Sequence, residues 1–336
     1  MEHPLSLRNT HSLCAIALVA ALSPAAPCFS NTAVCFAEPP ASERFRPERA
    51  DFAVKFKNEI TSLRTIGVYV LPGEWLTIET EERSERGAYS LRAGCDTVTR
   101  RAPSEWTWIA PPKPGLYSLC LARTSPPDSI TMNVFVMVPY ERLDGEELHG
   151  YHVGCYPDPP RGGRPSSPRP RGFIQVTPDN EDTLVSPHFR LKQFLCKQAG
   201  DYPKYVILRE RLLIKLERIL RRVNEEGHDC DTFHIMSGYR TPHYNEAIGN
   251  VKYSRHLWGE AADFFVDENP KDGMMDDLNR DGRIDIRDAR VLYDIIDDML
   301  RESSDGRLLG GLGKYGSTAA HGPFVHTDVR GARARW

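Results

Sequence analysis

The sequence predicts two folded regions: an all-β, sandwich-like domain at residues 45–155 and an α+β domain at residues 173–336. In the first region, short runs rich in Val, Ile, Thr, Tyr and Trp follow one another between Gly and Pro residues. In the second, amphipathic helical patterns lie among a few short strand-like runs. A linker rich in Pro, Gly, Ser and Arg separates them at residues 156–172.

The composition is that of a globular protein. Hydrophobic residues make up 40% and charged residues 26% of the 336 positions, which excludes a fully disordered, collagen-like or coiled-coil chain. The formal net charge is −3, so no overall charge signal points to nucleic-acid binding.

The N-terminus is typical of an export signal. The apolar run at 13–22 is too short to span a bilayer, which takes about 20 helical residues. Arg8 precedes the run and small residues follow it, so residues 1–37 are predicted to be a signal peptide cleaved after Ala37, with Ser30 as an open alternative. The mature protein is then expected to be periplasmic or secreted, without stable membrane insertion.

Cysteine usage fits an oxidising compartment, in which disulfides are expected. None of the cysteines after the signal region forms a C-x-x-C pair, so a zinc finger is not favoured. Cys95–Cys120 and Cys196–Cys230 are the economical pairings, each within one predicted domain, and Cys155 is left over. The connectivity stays open.

The first domain is predicted to be a small antiparallel sandwich, because its strand-like runs recur at short spacing. These runs are residues 65–72, 74–80, 105–111, 115–122 and 130–139. No catalytic cluster is present among them, which favours a spacer or binding module. Trp75, Trp106 and Trp108 are interpreted as core or edge residues rather than as a ligand platform.

The second domain is predicted to contain flanking helices and a small, mostly antiparallel sheet. Ser186 followed by Pro187 indicates the start of a helix. Apolar residues at helical spacing predict a second helix over 204–226, ended by Gly227. The remaining predicted elements are strands at 233–236, 261–266 and 323–329 and a helix at 288–301.

Potential metal ligands lie at and near two of these strands. His256 precedes the strand that contains Asp263, and His326 and Asp328 share one face of the last strand because side chains repeat every two residues. Two imidazoles and one carboxylate suit Zn²⁺ with an open fourth position for water.

These residues form part of a longer pattern, S-x-H-x-x-G-x-A-x-D. It comprises Ser254, His256, Gly259, Ala261 and Asp263. The segment SGYRTPHYN precedes it and the H-x-D strand follows it. Together the three motifs resemble the zinc D-alanyl-D-alanine carboxypeptidase family of peptidoglycan peptidases, in its carboxypeptidase-like branch. The resemblance covers roughly residues 173–336 and implies an α+β zinc peptidase domain there.

The resemblance also implies roles for single residues. Zinc would be bound by His256, Asp263 and His326. Arg240 would bind the substrate carboxylate, for which a guanidinium fork is suited, and Ser254 would lie in the same substrate site.

The general base is assigned by the same resemblance. Many relatives place a Glu three residues before the last histidine ligand, but Pro323 occupies that position here. His321 resembles the histidine that the carboxypeptidase-like branch uses, and imidazole has a suitable pKa for this role. Asp328 would orient a histidine. The alternatives are that His321 only shapes its loop and that Arg240 only forms an ion pair.

The expected function is zinc-dependent hydrolysis of peptidoglycan stem peptides, as in a D-alanyl-D-alanine carboxypeptidase. An endopeptidase that cuts cross-links and a zinc-retaining, non-catalytic cell-wall-binding module are the alternatives. The run GGLGKYG at 310–316 is interpreted as a mobile Gly-rich lip. It lacks the lysine and hydroxyl ending of a phosphate loop, which excludes a nucleotide site of that kind.

A second metal motif lies at 277–288, DLNRDGRIDIRD, which fits a 12-residue calcium loop with Gly282 at the sharp turn. The predicted ligands are the side chains of Asp277, Asn279, Asp281, Asp285 and Asp288 and the backbone carbonyl of Arg283. Position 12 is Asp rather than Glu, which resembles the calcium loops of dockerin repeats. The calcium would be structural, and the alternative is an acidic solvated turn.

Overall fold

A computed structural model describes residues 45–81, 89–94, 98–158 and 168–336, which belong to one compact unit. The predicted signal peptide at 1–37, the cysteine at position 95 and the middle of the predicted linker lie outside the described residues. The predicted domain boundaries and the export signal therefore stay predictions.

The N-terminal part of the described chain is a two-sheet β structure. One sheet has the strand order β2-β1-β4-β7-β6, and the other has the order β3-β9-β8-β5. The strands are Arg49–Phe56 (β1), Glu59–Leu63 (β2), Thr65–Val70 (β3), Trp75–Thr80 (β4), Tyr89–Ala93 (β5), Val98–Ala102 (β6), Glu105–Ile109 (β7), Gly115–Arg123 (β8) and Asp128–Val136 (β9). All five predicted runs contain a strand.

The prediction of a purely antiparallel sandwich is wrong for one pair. β3 and β9 are parallel, with Thr65 opposite Thr131 and Val70 opposite Val136. Parallel neighbours need a long crossover, and here the chain between β3 and β9 supplies strands to both sheets. Trp106 and Trp108 are buried, whereas Trp75 is 62% exposed.

Short strands connect the sandwich to the C-terminal part. They are Val138–Pro139 (β10), Glu147–Leu148 (β11), Tyr151–His152 (β12), Gly172–Val176 (β13), Leu184–Ser186 (β14), Phe189–Arg190 (β15) and Lys204–Val206 (β16). β10, β13 and β16 form a three-stranded antiparallel sheet.

The described ends of the predicted linker pack against the C-terminal part. The Tyr156 hydroxyl, which is buried, donates to the carbonyl of Leu257 at 3.0 Å. The indole N–H of Trp258 donates to the carbonyl of Pro168, also at 3.0 Å. Both contacts lie at the turn that carries His256.

The predicted helix start at Ser186 and Pro187 is wrong. Ser186 ends β14, and the chain turns through Pro187 into β15. The turn is held by a tertiary contact, because the backbone N–H of His188 donates to Glu217 at 2.9 Å and its ring pairs with the same carboxylate at 2.7 Å. A long-range ion pair thus overrides the local capping signal.

The C-terminal part is built around a five-stranded sheet in the order β17-β18-β20-β19-β21, antiparallel except for the β19–β21 pair. Its strands are His234–Ser237 (β17), Ala261–Phe265 (β18), Gly311–Tyr315 (β19), Phe324–Asp328 (β20) and Ala334–Arg335 (β21). The helices are Glu210–Glu225 (α1), Pro242–Ala247 (α2) and Ile286–Glu302 (α3). The architecture as a whole is mixed α and β.

Helix α1 starts later than its apolar pattern predicts, because residues 204–206 pair with β13 as a strand instead. Gly227 follows the helix with a φ of +86°, as its predicted role as a helix end requires. The N-terminal turn of α1 is tied to the sandwich, since the Glu210 carboxylate accepts from the backbone N–H of Tyr69 at 3.2 Å and pairs with Lys57 at 2.6 Å. No helix in the described part of the chain is both long and apolar enough to cross a membrane.

Candidate metal centre

Sheet pairing brings two of the predicted ligands together. β18 and β20 are antiparallel neighbours, and Asp263 lies directly opposite His326. Directly opposed residues project from the same face of a sheet, so their side chains meet. His256 reaches them from a 3₁₀ helix, Arg255–Trp258, that immediately precedes β18.

Gly259 allows this turn to lie close to the rest of the domain. It ends the 3₁₀ helix with a φ of +63°, in the left-handed region that favours glycine. A Cβ atom at this position would lie 2.2 Å from the carbonyl oxygen of Ile207. The glycine of the sequence motif therefore has a steric reason.

Two of the three donor–donor distances are those of a tetrahedral metal site. His256 Nε2 lies 3.4 Å from His326 Nδ1 and 3.3 Å from Asp263 Oδ1. Donors held about 2.0–2.1 Å from a tetrahedral ion are about 3.3 Å apart. His326 Nδ1 and Asp263 Oδ1 are closer, at 2.7 Å, because a hydrogen bond joins them. All three residues are buried.

A second layer of hydrogen bonds fixes the orientation of these groups. His256 Nδ1 lies 2.6 Å from the carbonyl oxygen of Gly238, which leaves Nε2 facing the other donors. Asp263 presents Oδ1 to the histidines and accepts from the Arg240 guanidinium at Oδ2. Arg240 is itself held by a 2.8 Å hydrogen bond from its Nε to the Ser237 hydroxyl. Such partners are typical of metal sites.

His326 is oriented from its other ring nitrogen. Nε2 lies 3.3 Å from Oδ2 of Asp328, whose side chain is fully buried. The Asp328 carboxylate accepts from the backbone N–H of Gly311 at 2.8 Å and from Nε of Arg330 at 2.8 and 2.9 Å. The predicted orienting role of Asp328 is consistent with these contacts.

The charges of the site follow from burial and pairing. Burial opposes the ionisation of Asp263, but the two imidazoles outweigh it and hold the pKa of its carboxyl well below the usual range. Burial lowers the pKa of His256. For His326, burial is outweighed by the hydrogen bonds with Asp263 and Asp328, so its pKa is raised. An ionised carboxylate and a neutral imidazole are the forms that bind a metal ion.

Two lysines lie close to this group. Lys215 of α1 is fully buried and donates to the carbonyl of Asp328 at 2.8 Å, and burial lowers its pKa to about 7. Burial, followed by the charge of Arg240, lowers the pKa of the Lys197 ammonium, while the Asp263 charge opposes this shift.

The other predicted site residues are placed as follows. Arg240 is only 8% exposed and pairs with Asp263, a contact that its sequence motif does not predict. Its role toward a substrate carboxylate stays a prediction. Ser254 is buried at the start of the 3₁₀ helix of His256. The His321 ring is not part of the donor group: Nδ1 lies 2.8 Å from the Gly322 carbonyl, and the ring packs edge-on against Phe324.

The interpretation of residues 310–316 as a mobile lip is wrong. Most of this run is β19, which pairs with β20 on one side and β21 on the other. Its glycines are explained by packing: a Cβ at Gly310, just before β19, would lie 1.8 Å from the Asp328 carbonyl oxygen, and one at Gly311, in β19, would lie 2.3 Å from Asp328 Oδ2. Close approach of the backbone to a neighbour is a usual reason for glycine inside a strand.

The predicted calcium loop has a tight turn, with Gly282 at a φ of +80°. Asp277 accepts from the backbone N–H groups of Asp281 and Gly282, and the buried Asp288 accepts from those of Asn279 and Asp285. The Arg287 guanidinium pairs with Asp281 and Asp285. Arg283 donates its backbone N–H to Asp281 at 3.0 Å. Calcium binding stays a prediction.

The predicted Cys196–Cys230 disulfide is absent, and both thiols are buried and free. Cys230 Sγ donates to the carbonyl of Thr232 at 3.0 Å, and Cys196 Sγ lies 3.7 Å from the Gln198 side-chain oxygen. Each thiol is thus packed against its own nearby partner. Cys120 and Cys155 are also free, so the predicted Cys95–Cys120 disulfide is not formed either.

Sequence reasoning missed several residues around the site. Arg330, Ser237, Lys215 and Trp336 all contact a predicted site residue or its direct partner. Arg330 had one available signal, because it lies two positions after Asp328 and so continues the alternation of the strand. Ser237 lies three positions before Arg240, within the SGYRTPHYN motif itself. Lys215 and Trp336 come from other elements and had no local signal.

Residues 187–284 match the family model described as Peptidase M15. This range contains Arg240, His256 and Asp263, while His326 lies beyond it and joins them through the β18–β20 pairing. No curated protein matches the chain. The predicted resemblance is confirmed: residues 187–284 are similar to Peptidase M15, a family of zinc D-alanyl-D-alanine carboxypeptidase-like enzymes.

Proposed function

We propose that this protein is an exported, zinc-dependent peptidase that hydrolyses peptidoglycan stem peptides, as a D-alanyl-D-alanine carboxypeptidase. The observation that carries the proposal is the buried group of His256, Asp263 and His326, two of which lie inside the segment that matches Peptidase M15. Buried charged and imidazole groups are costly unless they have a partner, and a metal ion is one.

The donor set fits zinc by its chemistry. Two imidazole nitrogens and one carboxylate oxygen are common zinc ligands, and three protein ligands leave a position for water and substrate, as catalytic zinc sites do. When bound there, zinc would polarise the scissile carbonyl and activate water for attack. Hydrogen bonds to the Gly238 carbonyl and the Asp328 carboxylate, and the one that Arg240 donates, would hold the three ligands in place.

The proton transfers are assigned to His321. It lies on the loop just before β20, the strand that carries His326, and an imidazole can accept and donate a proton near neutral pH. Its ring packs against Phe324 and its Nδ1 contacts the Gly322 carbonyl, which leaves Nε2 as the nitrogen for this role. The alternative, a purely structural His321, is tested below.

One observation favours an endopeptidase as the second candidate. The sequence argument for trimming a terminal residue rests on Arg240 as a clamp for a free carboxylate. The guanidinium is nearly buried and already pairs with Asp263, which weakens that argument. A substrate without a terminal carboxylate at this point, such as a cross-linked stem, is then also compatible with the site.

The proposed function is tested by mass spectrometry of purified peptidoglycan incubated with the zinc-loaded protein, with and without a chelator. Loss of a terminal alanine from stem pentapeptides is the expected result. Conversion of cross-linked dimers to monomers would favour the endopeptidase. Bound zinc without any change in the muropeptides would contradict both and favour a wall-binding module.

One variant and its matched control test the metal site. His256→Ala removes a donor and should lose both zinc and activity. His228→Ala removes a histidine from the turn after α1, outside the donor group, and should keep both.

The calcium loop is part of the same proposal. The turn at Gly282 and the inward-facing Asp288 support it, while the Arg287 pairs would have to rearrange to free Asp281 and Asp285 for the ion.

A further inference from the structure

Trp336 lies directly against a proposed zinc ligand. Its ring centroid is 5.4 Å from that of His326, with the two ring planes inclined at 42°. It follows β21, which pairs in parallel with β19 and so brings the indole back over the sheet. The indole N–H donates to the Tyr315 hydroxyl at the far end of β19.

The sheet leaves room for this indole by using glycine on β19. A Cβ at Gly313 would lie 2.3 Å from Nε1 of the indole, and one at Gly311 would lie 2.8 Å from its Cη2 atom. Any larger residue at these two positions would have to displace the ring. The indole therefore occupies a cradle made by the backbone of the sheet.

The indole of Trp336 also contacts a cationic side chain. The Arg330 guanidinium lies 5.4 Å from the indole centroid, within the range of a cation–π interaction. The same guanidinium binds Asp328, which in turn faces His326. The position of the indole is thus coupled to the groups that orient the metal ligand.

Despite these contacts, Trp336 is 43% exposed, and the neighbouring Tyr315 is 36% exposed. The fully packed Trp258, by comparison, is 2% exposed. The indole of Trp336 is held by His326, by the backbone of β19 and by Arg330, and its remaining surface is open beside a proposed zinc ligand.

We propose that Trp336 is a wall of the substrate site, and that its open part contacts the aliphatic side chain of the substrate residue next to the scissile bond. This inference rests on the proposed peptidase function. Aromatic rings favour contact with methyl and methylene groups, so the wall selects alanine over glycine at that position.

The test compares peptide pairs that differ only by alanine or glycine, on each side of the bond that the enzyme cuts. One methyl group in an apolar subsite discriminates by about tenfold in kcat/KM. The zinc-loaded wild type should show such a preference on one side of the bond. Trp336→Ala should reduce it to about twofold or less, and Trp336→Phe should give an intermediate value. Trp75→Ala, which removes an exposed tryptophan from the sandwich, should keep the full preference.

The zinc content of each variant distinguishes a Trp336 that contacts the substrate from one that only supports the zinc ligand His326. Trp336→Phe is expected to keep its zinc, since Phe retains an aromatic ring against His326. Loss of zinc in both Trp336 variants would overturn the inference, because the indole would then act on the ligand alone. An unchanged alanine preference in a zinc-loaded Trp336 variant would also overturn it.

If the wild type cleaves none of the peptides, the proposed function is contradicted. A binding measurement then tests the role of Trp336 separately. Calorimetry on the zinc-loaded protein with the same alanine and glycine peptides should then show tighter binding of the alanine peptide to the wild type and a smaller difference for Trp336→Phe. Equal affinities in the wild type would overturn the inference.

Discussion

Arg240 and Asp263 form a buried ion pair behind the proposed zinc site, with the guanidinium on one carboxylate oxygen and the two histidines on the side of the other. The pair joins the loop after β17 to the centre of β18. Arg240 thereby sets the direction in which Asp263 presents Oδ1.

Arg240→Ala should weaken zinc binding by about 10–100-fold, the usual effect of removing a group that orients a metal ligand. The physical reason is that Asp263 loses the partner that fixes its carboxylate. The zinc dissociation constant is measured by competition with a chromogenic chelator. Arg290→Ala, which removes an exposed ion pair on α3, is the control. If Arg240→Ala binds zinc as tightly as the wild type, the guanidinium serves the substrate rather than the metal site.

His321→Ala should keep its zinc and lose turnover by about 10²–10⁴-fold, the usual contribution of general acid–base catalysis. His321 does not contact the three donors in the described structure, so metal content should not change. Zinc analysis and kcat on the best peptide substrate are the two measurements. A loss of turnover below tenfold would assign the proton transfers to another group.

Gly313→Ala should lower the free energy of unfolding by about 1–3 kcal/mol, the typical cost of overpacking. The new methyl group would meet the indole of Trp336 at 2.3 Å, and the ring would have to move off His326. Urea unfolding and the fluorescence of the tryptophans measure both effects. Gly94→Ala, at a glycine with open space around it, is the control. Equal stability of Gly313→Ala and the wild type would mean that the cradle is loose.

The His188–Glu217 pair makes stability depend on pH. Burial opposes protonation of His188, but the hydrogen bond and the charge of Glu217 outweigh it, so the folded-state pKa of His188 is raised. Its contribution is therefore complete below the unfolded value of about 6.5 and is lost as the pH rises through the folded value.

His188→Gln should accordingly destabilise the protein by about 1.5–3 kcal/mol at pH 5.5, as for the loss of a charged hydrogen bond, and by less at pH 8.5. Urea unfolding at the two pH values measures the difference. Glu217→Gln removes the same ion pair from the other side and should show the same trend with pH. A His188→Gln effect that is equal at both pH values would refute the linkage to this ion pair.

Calcium should raise the melting temperature of the zinc-loaded protein if the loop at 277–288 binds it. A ligand that binds only the folded state adds about 2.7 kcal/mol of stability at a hundredfold excess over its dissociation constant. The measurement compares excess calcium with a calcium-selective chelator at constant zinc, in the wild type and in Asp277→Asn. No difference in the wild type would indicate that the loop is an acidic turn.

Part of the fold and of the candidate site is determined by short segments of the sequence. The alternation of His326 and Asp328, the glycine after the turn of His256, and the apolar periodicity of α1 and α3 are properties of short segments. Such patterns follow from the repeat of a strand or a helix and are readable without partners. For that reason most of the elements that carry Asp263 and His326 could be predicted, whereas the choice of His256, Asp263 and His326 as the three donors rested on the family resemblance.

The tertiary structure alone decided which distant groups meet. The sequence by itself determined that Asp263 and His326 lie on strands, but the register of β18 against β20 made them neighbours, and register depends on packing over the whole sheet. The partner of Arg240, the indole on His326 and the His188–Glu217 pair that holds the turn at Pro187 arise in the same way. Each is a contact between different elements of the fold, and such contacts are chosen by burial and by the pairing of charges, which no local pattern records.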